Sequence, residues 1–269
     1  MRTPMRLALA LLAVFAVSIH AQVLQESPSG SVDWQSRIVR AKGMGMPSAV
    51  GGRPGQIRVA RADALRKILE TVEGMNLTSE TTVQDFMLEN DRIVTEVRGV
   101  CRNFREVGEP VYMSDGSLEL TVEMYVGPEL NEILTGDMPW QKGTPVPVQA
   151  AEALGGVYTG LVVDCSGLGL KPAMAPRILS DSGQEIYGST WVSREWALKN
   201  GMVGYVKSLE QAMGQKDRIG DKPLLVKATA VKGEQKADMV IPDLEGKALH
   251  AMSENLSFLS ECRVLVVVN

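Results

Sequence analysis

Apolar residues recur along this chain at two spacings, and the changes between them mark out its elements. Ile57, Ala60, Ala64, Leu65, Ile68, Leu69 and Val72 fall three or four positions apart, on one helical face, while Arg58, Arg61, Lys67 and Glu70 point mostly elsewhere. Gly74 is a natural stop for that helix. Phe86, Ile93, Val97 and Val100 repeat at a similar spacing and predict a second helix over residues 84–100. Elsewhere the period is two. Leu118, Leu120, Val122 and Met124 alternate with Glu119, Thr121 and Glu123, as in a strand with one wet side. A run over residues 103–113 precedes it across Ser114-Asp115-Gly116-Ser117, and Asp-Gly between alternating runs predicts a hairpin whose two turn positions take positive φ.

The remaining patterns are shorter. Residues 22–30 are polar and read as loose, residues 32–45 as one strand, and residues 76–83, rich in threonine, as a short strand. Residues 135–155 hold three prolines and little periodicity, and read as a linker. Beyond them, residues 157–165 predict a strand, and residues 177–179 and 185–187 a hairpin around Asp181-Ser182-Gly183. Residues 193–200 and 205–213 predict short helices, residues 224–230 and 239–241 strands, and residues 245–259 a helix. The continuous apolar run Val264-Leu265-Val266-Val267-Val268 predicts a buried closing strand. The expected class is α+β: two small domains, over residues 31–134 and 156–269, with helices packed on mixed or antiparallel sheets.

The first 21 residues change the picture from fold to compartment. Arg2 and Arg6 precede an apolar run from Leu7 to Val17, and Ala21 closes a small-residue cut site, the layout of a secretory signal peptide. The run is short of the ~20 apolar residues that a membrane crossing needs. No cysteine stands near Ala21, so the mature chain is expected to carry no amino-terminal lipid and no direct membrane anchor. Removing the two leader arginines from 28 basic residues leaves 26 against 32 acids, a net of −6. Such a surface does not attract phosphate backbones, which argues against a nucleic-acid partner.

Candidate chemistry is sparse. After leader removal His250 is the single histidine, placed inside the predicted late helix, so any Ser-His-Asp or Cys-His device would depend on it. Cys101, Cys165 and Cys262 form no C-x-x-C pair. They are either three small buried hydrophobes or, in an oxidising compartment, one disulfide and a spare thiol, with Cys165 and Cys262 the expected pair. Gly43-Met44-Gly45 between a strand and a helix suggests a dinucleotide loop, but Ser48 stands where the third glycine belongs, and no phosphate-binding G-x-x-x-x-G-K-[ST] occurs. No cofactor and no metal site are predicted.

A candidate binding patch comprises Asp164 at a strand end, Arg177, Glu185, Trp191 and Trp196. The alternative reading is a turn acid, a surface hairpin and two tryptophans anchoring a small core around a helix capped by Ser193. Asn76-Leu77-Thr78 and Asn255-Leu256-Ser257 match glycosylation sequons, relevant only on a eukaryotic secretory route.

Val32-Asp33-Trp34, Ala41-Lys42-Gly43-Met44-Gly45, the segment from Ala60 to Glu70, Val72-Glu73-Gly74 and Thr81-Thr82 together resemble the LPP-twenty family of envelope lipoproteins. The related amino-terminal domain of flagellar assembly protein T has a similar architecture. The resemblance covers about residues 31–130. It implies a dodecin-like α/β domain, a Gram-negative envelope location and a role in surface assembly, with no catalytic residues to carry over. Many relatives carry a lipidated cysteine that this chain lacks. The expected function is that of a non-enzymatic periplasmic protein, soluble or peripheral to the outer membrane, acting on other envelope proteins or by self-association. The alternatives are an exported hydrolase or small-ligand-binding protein using Asp164, Arg177 and Glu185, and a flagellar ring component.

Overall fold

The computed structural model describes residues 22–47, 51–141, 157–251 and 253–269. The leader with its cut at Ala21, and residues 142–155 of the predicted linker, lie outside the described residues. The fold is α+β in two units. The first is built on strands β1 (Leu24–Glu26), β2 (Ser31–Asp33) and β3 (Ile38–Gly45), then helices α1 (Gly52–Glu73), α2 (Val83–Leu88) and α3 (Asp91–Cys101), then the hairpin β4 (Arg105–Tyr112) and β5 (Leu118–Tyr125), then α4 (Pro128–Thr135). Its five strands form one antiparallel sheet in the order β1-β2-β3-β5-β4. Strand β3 is followed by the long helix α1 and, after α2 and α3, by the β4–β5 hairpin that completes the sheet.

The long helix lies directly on β3. Ala60, Ala64, Ile68 and Val72 are fully buried against the sheet, as are Leu118 and Val122 from β5. Pro54 sits in the first turn of α1, where its missing N–H is not needed. Gly43 and Gly45 belong to β3 itself, not to a loop. A Cβ on Gly43 would stand 2.0 Å from the Ala60 carbonyl oxygen, and one on Gly45 2.2 Å from that of Gln56. The pair that suggested a phosphate loop is the close-packing seam between strand and helix.

Several predicted elements are divided by polar caps. The single strand over residues 32–45 is the β2–β3 hairpin. Asp33 accepts hydrogen bonds from the Gln35 and Ser36 amides and the Ser36 hydroxyl, and Arg37 at φ 57° reverses the chain. Residues 22–30 contribute β1 and the buried Val23 in place of a loose end. The strand predicted over residues 76–83 shrinks to one bridge, Asn76 to Thr82, because Thr82 and Asp85 form a capping box that starts α2. Asn90 caps α3 and splits the expected helix over residues 84–100. The Ser114–Ser117 turn keeps its hairpin but has positive φ at Gly116 alone: the Gly116 N–H bonds to Met113 and Asp115 accepts from Ser117, a three-residue loop. α4 was not predicted. Of the expected linker, Met138 and Trp140 pack against the core.

The second unit contains β6 (Gly160–Asp164), the hairpin β7 (Ile178–Ser180) and β8 (Glu185–Tyr187), a 3₁₀ turn at Ser189–Trp191, α5 (Arg194–Asn200), β9 (Gly204–Val206), α6 (Leu209–Gly214), α7 (Lys216–Ile219), β10 (Pro223–Lys227), β11 (Ala230–Lys232), β12 (Asp238–Ile241), α8 (Asp243–His250), α9 (Ser253–Ser260) and β13 (Val264–Val267). One sheet, β10-β6-β13-β9, is wholly parallel, and the other, β11-β12-β7-β8, is mixed. The closing strand β13 sits inside the parallel sheet and is buried on both faces, as its unbroken apolar run requires. Val162, Val206, Leu265 and Val267 face Ala212 and Ile219 of α6 and α7 on one side. Where a helix was predicted over residues 205–213, Tyr205 lies in β9 and Ser208 caps a later start. The helix expected over residues 245–259 is two, α8 and α9.

One core runs through both units, from Val23 to Val268. Backbone bonds join them: the Met174 and Ala175 amides donate to the Asn76 and Leu77 carbonyls at 3.0 and 2.8 Å, and Gln235 donates to Ser79 at 2.8 Å. Both sequon asparagines serve the packing. Asn76 is buried and donates to Pro172, and Asn255, fully buried, accepts from the Tyr158 amide. No helix among the described residues is long and apolar enough to cross a membrane.

Candidate functional site

The charged residues of the predicted patch are held in separate bonds, although the Glu185 charge reaches Arg177. Asp164, at the carboxyl end of β6, accepts from the Ser166 amide at 3.0 Å and acts as a turn acid. Arg177 is bound elsewhere. Its Nε and Nη2 donate to Asp238 Oδ2 at 2.9 and 2.5 Å, and its amide to Oδ1 at 2.9 Å. Ser79 Oγ, from the first unit, donates to the same carboxylate at 2.7 Å, so this cluster ties the two units together. Hydrogen bonding to Asp238, then its charge and those of Glu185 and Glu80, hold the guanidinium protonated. Glu185 accepts from Thr190 Oγ1 at 2.6 Å. Trp191 stacks 4.1 Å from the His250 ring and packs on the core, whereas Trp196 is exposed beneath Lys199 Nζ at 5.8 Å. Ser193 holds the cap position of α5 without a side-chain bond.

The reactive side chains are likewise in structural positions. His250 is buried, its Nε2 is 2.8 Å from the Ile186 carbonyl, and burial lowers its pKa despite that bond. The contact with a carbonyl requires the proton on Nε2. Cys101, Cys165 and Cys262 are free and buried, and burial pushes each thiol up to about 12. The Cys165–Cys262 pairing fails on topology. Cys165 follows the last residue of β6 and Cys262 precedes β13, and the strands run parallel with Val264 beside Leu161. The two cysteines are therefore six positions apart along the sheet, roughly 20 Å at ~3.3 Å per residue, against the ~6 Å between Cα atoms that a disulfide spans. Among the described residues no three His, Cys, Asp or Glu side chains stand close enough to share a metal ion.

What the fold does assemble is a cavity in the seam between the units. It has a volume of about 40 Å³. Val32, Trp34, Arg37, Met75 and Val126 line it from the first unit, with Asn131 and Thr135 of α4. Trp140, Met174, Ala197, Gly201, Met202 and Tyr205 complete the wall. The Asp33-centred turn places Arg37 here, and the Arg37 carbonyl is fixed by the Val126 amide at 2.8 Å. Arg37 Nη2 reaches across the seam to the Lys199 carbonyl at 3.1 Å and bonds the Tyr125 hydroxyl, with the guanidinium 5.0 Å over that ring. Trp34 meets Tyr205 edge-on at 5.8 Å.

The carboxyl end of α5 faces this region, and donors from three elements converge on it. Asn131 Nδ2 donates to Leu198, Arg37 to Lys199, and Arg218 to Asn200 and Gly201, all at 3.0–3.1 Å. Cations suit a helix carboxyl end. Burial lowers the pKa of Arg218, and the nearby charge of Arg37 adds to that effect. Two buried polar atoms of the lining side chains have no partner among the described residues: Arg37 Nη1 and Trp140 Nε1. Sequence reasoning missed this site. The Asp-x-x-Ser turn signature at Asp33 was readable, and so was a tryptophan set among prolines, but nothing local links them to Tyr205.

Residues 160–269 match the family model described as the second domain of Treponema pallidum Tp0624. The match runs from the first strand of the second unit to the end of the chain, across both of its sheets. No curated protein matches the chain.

Proposed function

We propose that this chain is a non-enzymatic, exported envelope protein that acts in the periplasm by assembly or interaction. The leader pattern and the LPP-twenty resemblance support the compartment. The observation that carries the interaction role is an exposed apolar patch at one end of the five-stranded sheet. Met44, Met46, Val111, Tyr112 and Met113 are all more than a third exposed. Pairing brings them together: Met44 and Val111 flank Glu119 on the face away from α1, and Tyr112 pairs with Leu118 at the same end. Exposed apolar patches of this kind mark interaction surfaces. The rest of that face is a charged ladder in which Arg40 and Arg105 both bond the buried Glu123.

The placement of reactive groups supports the same reading. The single mature histidine and all three thiols are buried in packing roles, and Asp164, Arg177 and Glu185 are each held in a separate hydrogen bond. The flagellar-ring reading rests on the resemblance alone. Fractionation and crosslinking in the native organism test the proposal, with Val111→Lys/Met113→Lys as the comparison. Surface changes of this sort move stability by only ~0.5 kcal/mol, so loss of contact would report the patch and not the fold. A partner or self-crosslink is expected in the envelope fraction and is lost in the double variant. A strictly monomeric protein with no envelope partner, or crosslinks indifferent to the double variant, overturns it.

A further inference from the structure

We propose that the seam cavity is a binding site for a small carboxylate, acetate. The chemistry of the wall selects the ligand. Its two polar atoms without a partner among the described residues, Arg37 Nη1 and Trp140 Nε1, are both donors, so the group that satisfies either is an acceptor. Buried donors are normally satisfied, and an orphaned one is costly. The charge points the same way. Neither Arg37 nor Arg218 has a carboxylate partner among the described residues; both lean on backbone carbonyls around the end of α5. An anion beside Arg37 supplies the missing countercharge and relieves the repulsion between the two guanidiniums. Val32, Val126 and Met202 give the wall an apolar part that suits a methyl group, beside the polar Asn131 and Thr135. Size sets the upper limit: 40 Å³ holds about three water-sized groups at ~10–15 Å³ each, the two oxygens and the methyl group of acetate. Because the walls come from both units, such a ligand would be linked to their docking. This site is independent of the patch proposed above.

The test is titration of the purified mature protein with acetate at constant ionic strength, with chloride as the salt control. Tryptophan fluorescence follows it directly, since Trp34 and Trp140 line the cavity, and calorimetry confirms it. Saturable binding is expected for acetate and not for its neutral isostere acetamide. Trp140→Phe keeps the ring wall and removes one orphan donor. It is expected to fold without ligand, yet to bind acetate about 10-fold or more weakly, the worth of one hydrogen bond to a charged group. Arg37→Lys is a second variant, which keeps the charge and loses the forked donor. No saturable response, equal response to acetamide, or unchanged affinity in a folded Trp140→Phe protein would overturn the assignment and leave a cavity that holds only water.

Discussion

Gly43→Ala tests the glycine seam most directly. The new Cβ would stand 2.0 Å from the Ala60 carbonyl oxygen and 2.7 Å from both the Ala64 nitrogen and Cβ. The nearest atom is helix backbone, which cannot rotate aside, so α1 must retreat from β3 by about 1 Å to reach even a 3 Å contact. A gap of that size forfeits a quarter to a half of the dispersion energy of the facing atoms. The affected face includes the fully buried Ala60, Ala64, Ile68 and Val72. Overpacking typically costs ~1–3 kcal/mol, and a backbone clash along a long helix belongs at the top of that range, about 3 kcal/mol. At roughly 2–4 °C per kcal/mol for a chain of this size, Tm should fall by about 6–12 °C. Urea unfolding should show a lower midpoint with an unchanged slope. Gly99→Ala is the matched control: a Cβ there meets nothing within 4 Å on α3, and the change should stabilise by ~0.5–1 kcal/mol. If Gly43→Ala costs less than about 1 kcal/mol, α1 does not rest on β3 at the glycines, and the packing account of Gly43-Met44-Gly45 is wrong.

Three further outcomes follow from buried polar groups. Asp238→Ala strands Arg177 and Ser79; because Arg177 is 43% exposed, the usual ~3–5 kcal/mol for breaking a buried pair is discounted to about 2–3 kcal/mol, and a urea midpoint shift worth under ~1 kcal/mol would refute the tie. His250 has a folded pKa below the unfolded 6.5, so the unfolded chain binds the extra proton and stability drops as pH falls below about 6.5. Relative to His250→Phe, the parent should lose up to ~1.4 kcal/mol per pH unit in that window, and parallel pH profiles for the two proteins would count against the burial account. The three thiols should resist a thiol-specific reagent at pH 8 in the native protein and all react in guanidinium, whereas fast native labelling would contradict their burial.

Long periodic stretches were legible. The face of α1, the β4–β5 hairpin and the apolar β13 are where the pattern places them, because each satisfies its backbone locally or along a long buried run. The misread segments share a cause: a short polar residue captured the backbone and cut an apolar run in two. Asp33 turns the chain within an expected strand, Thr82 and Asp85 start α2 where a strand was expected, and Asn90 and Ser208 begin helices later than the spacing alone implied. Those caps were present in the sequence, so reading them before periodicity would have corrected each element.

The site was less legible, for a physical reason. A side chain's chemistry depends on its partner, and here the partners are remote: Arg177 meets Asp238 across 61 positions and Ser79 across 98, and Arg37 reaches the Lys199 carbonyl across 162. Asp164, Arg177 and Glu185 looked related because they are close in sequence, yet each is drawn into a different local or long-range bond. Strand order decides such matters. β6 and β13 are parallel neighbours, which separates Cys165 from Cys262 along the sheet even though both flank adjoining strands. The same long-range order brings Trp34, Arg37 and Trp140 against Tyr205, residues with no shared motif. In this chain the residues that suggested chemistry secure the packing, and the unsatisfied donors lie where the two units meet. A seam between units can leave polar groups unpaired because neither unit packs around them alone, which makes it the place where a ligand has most to contribute.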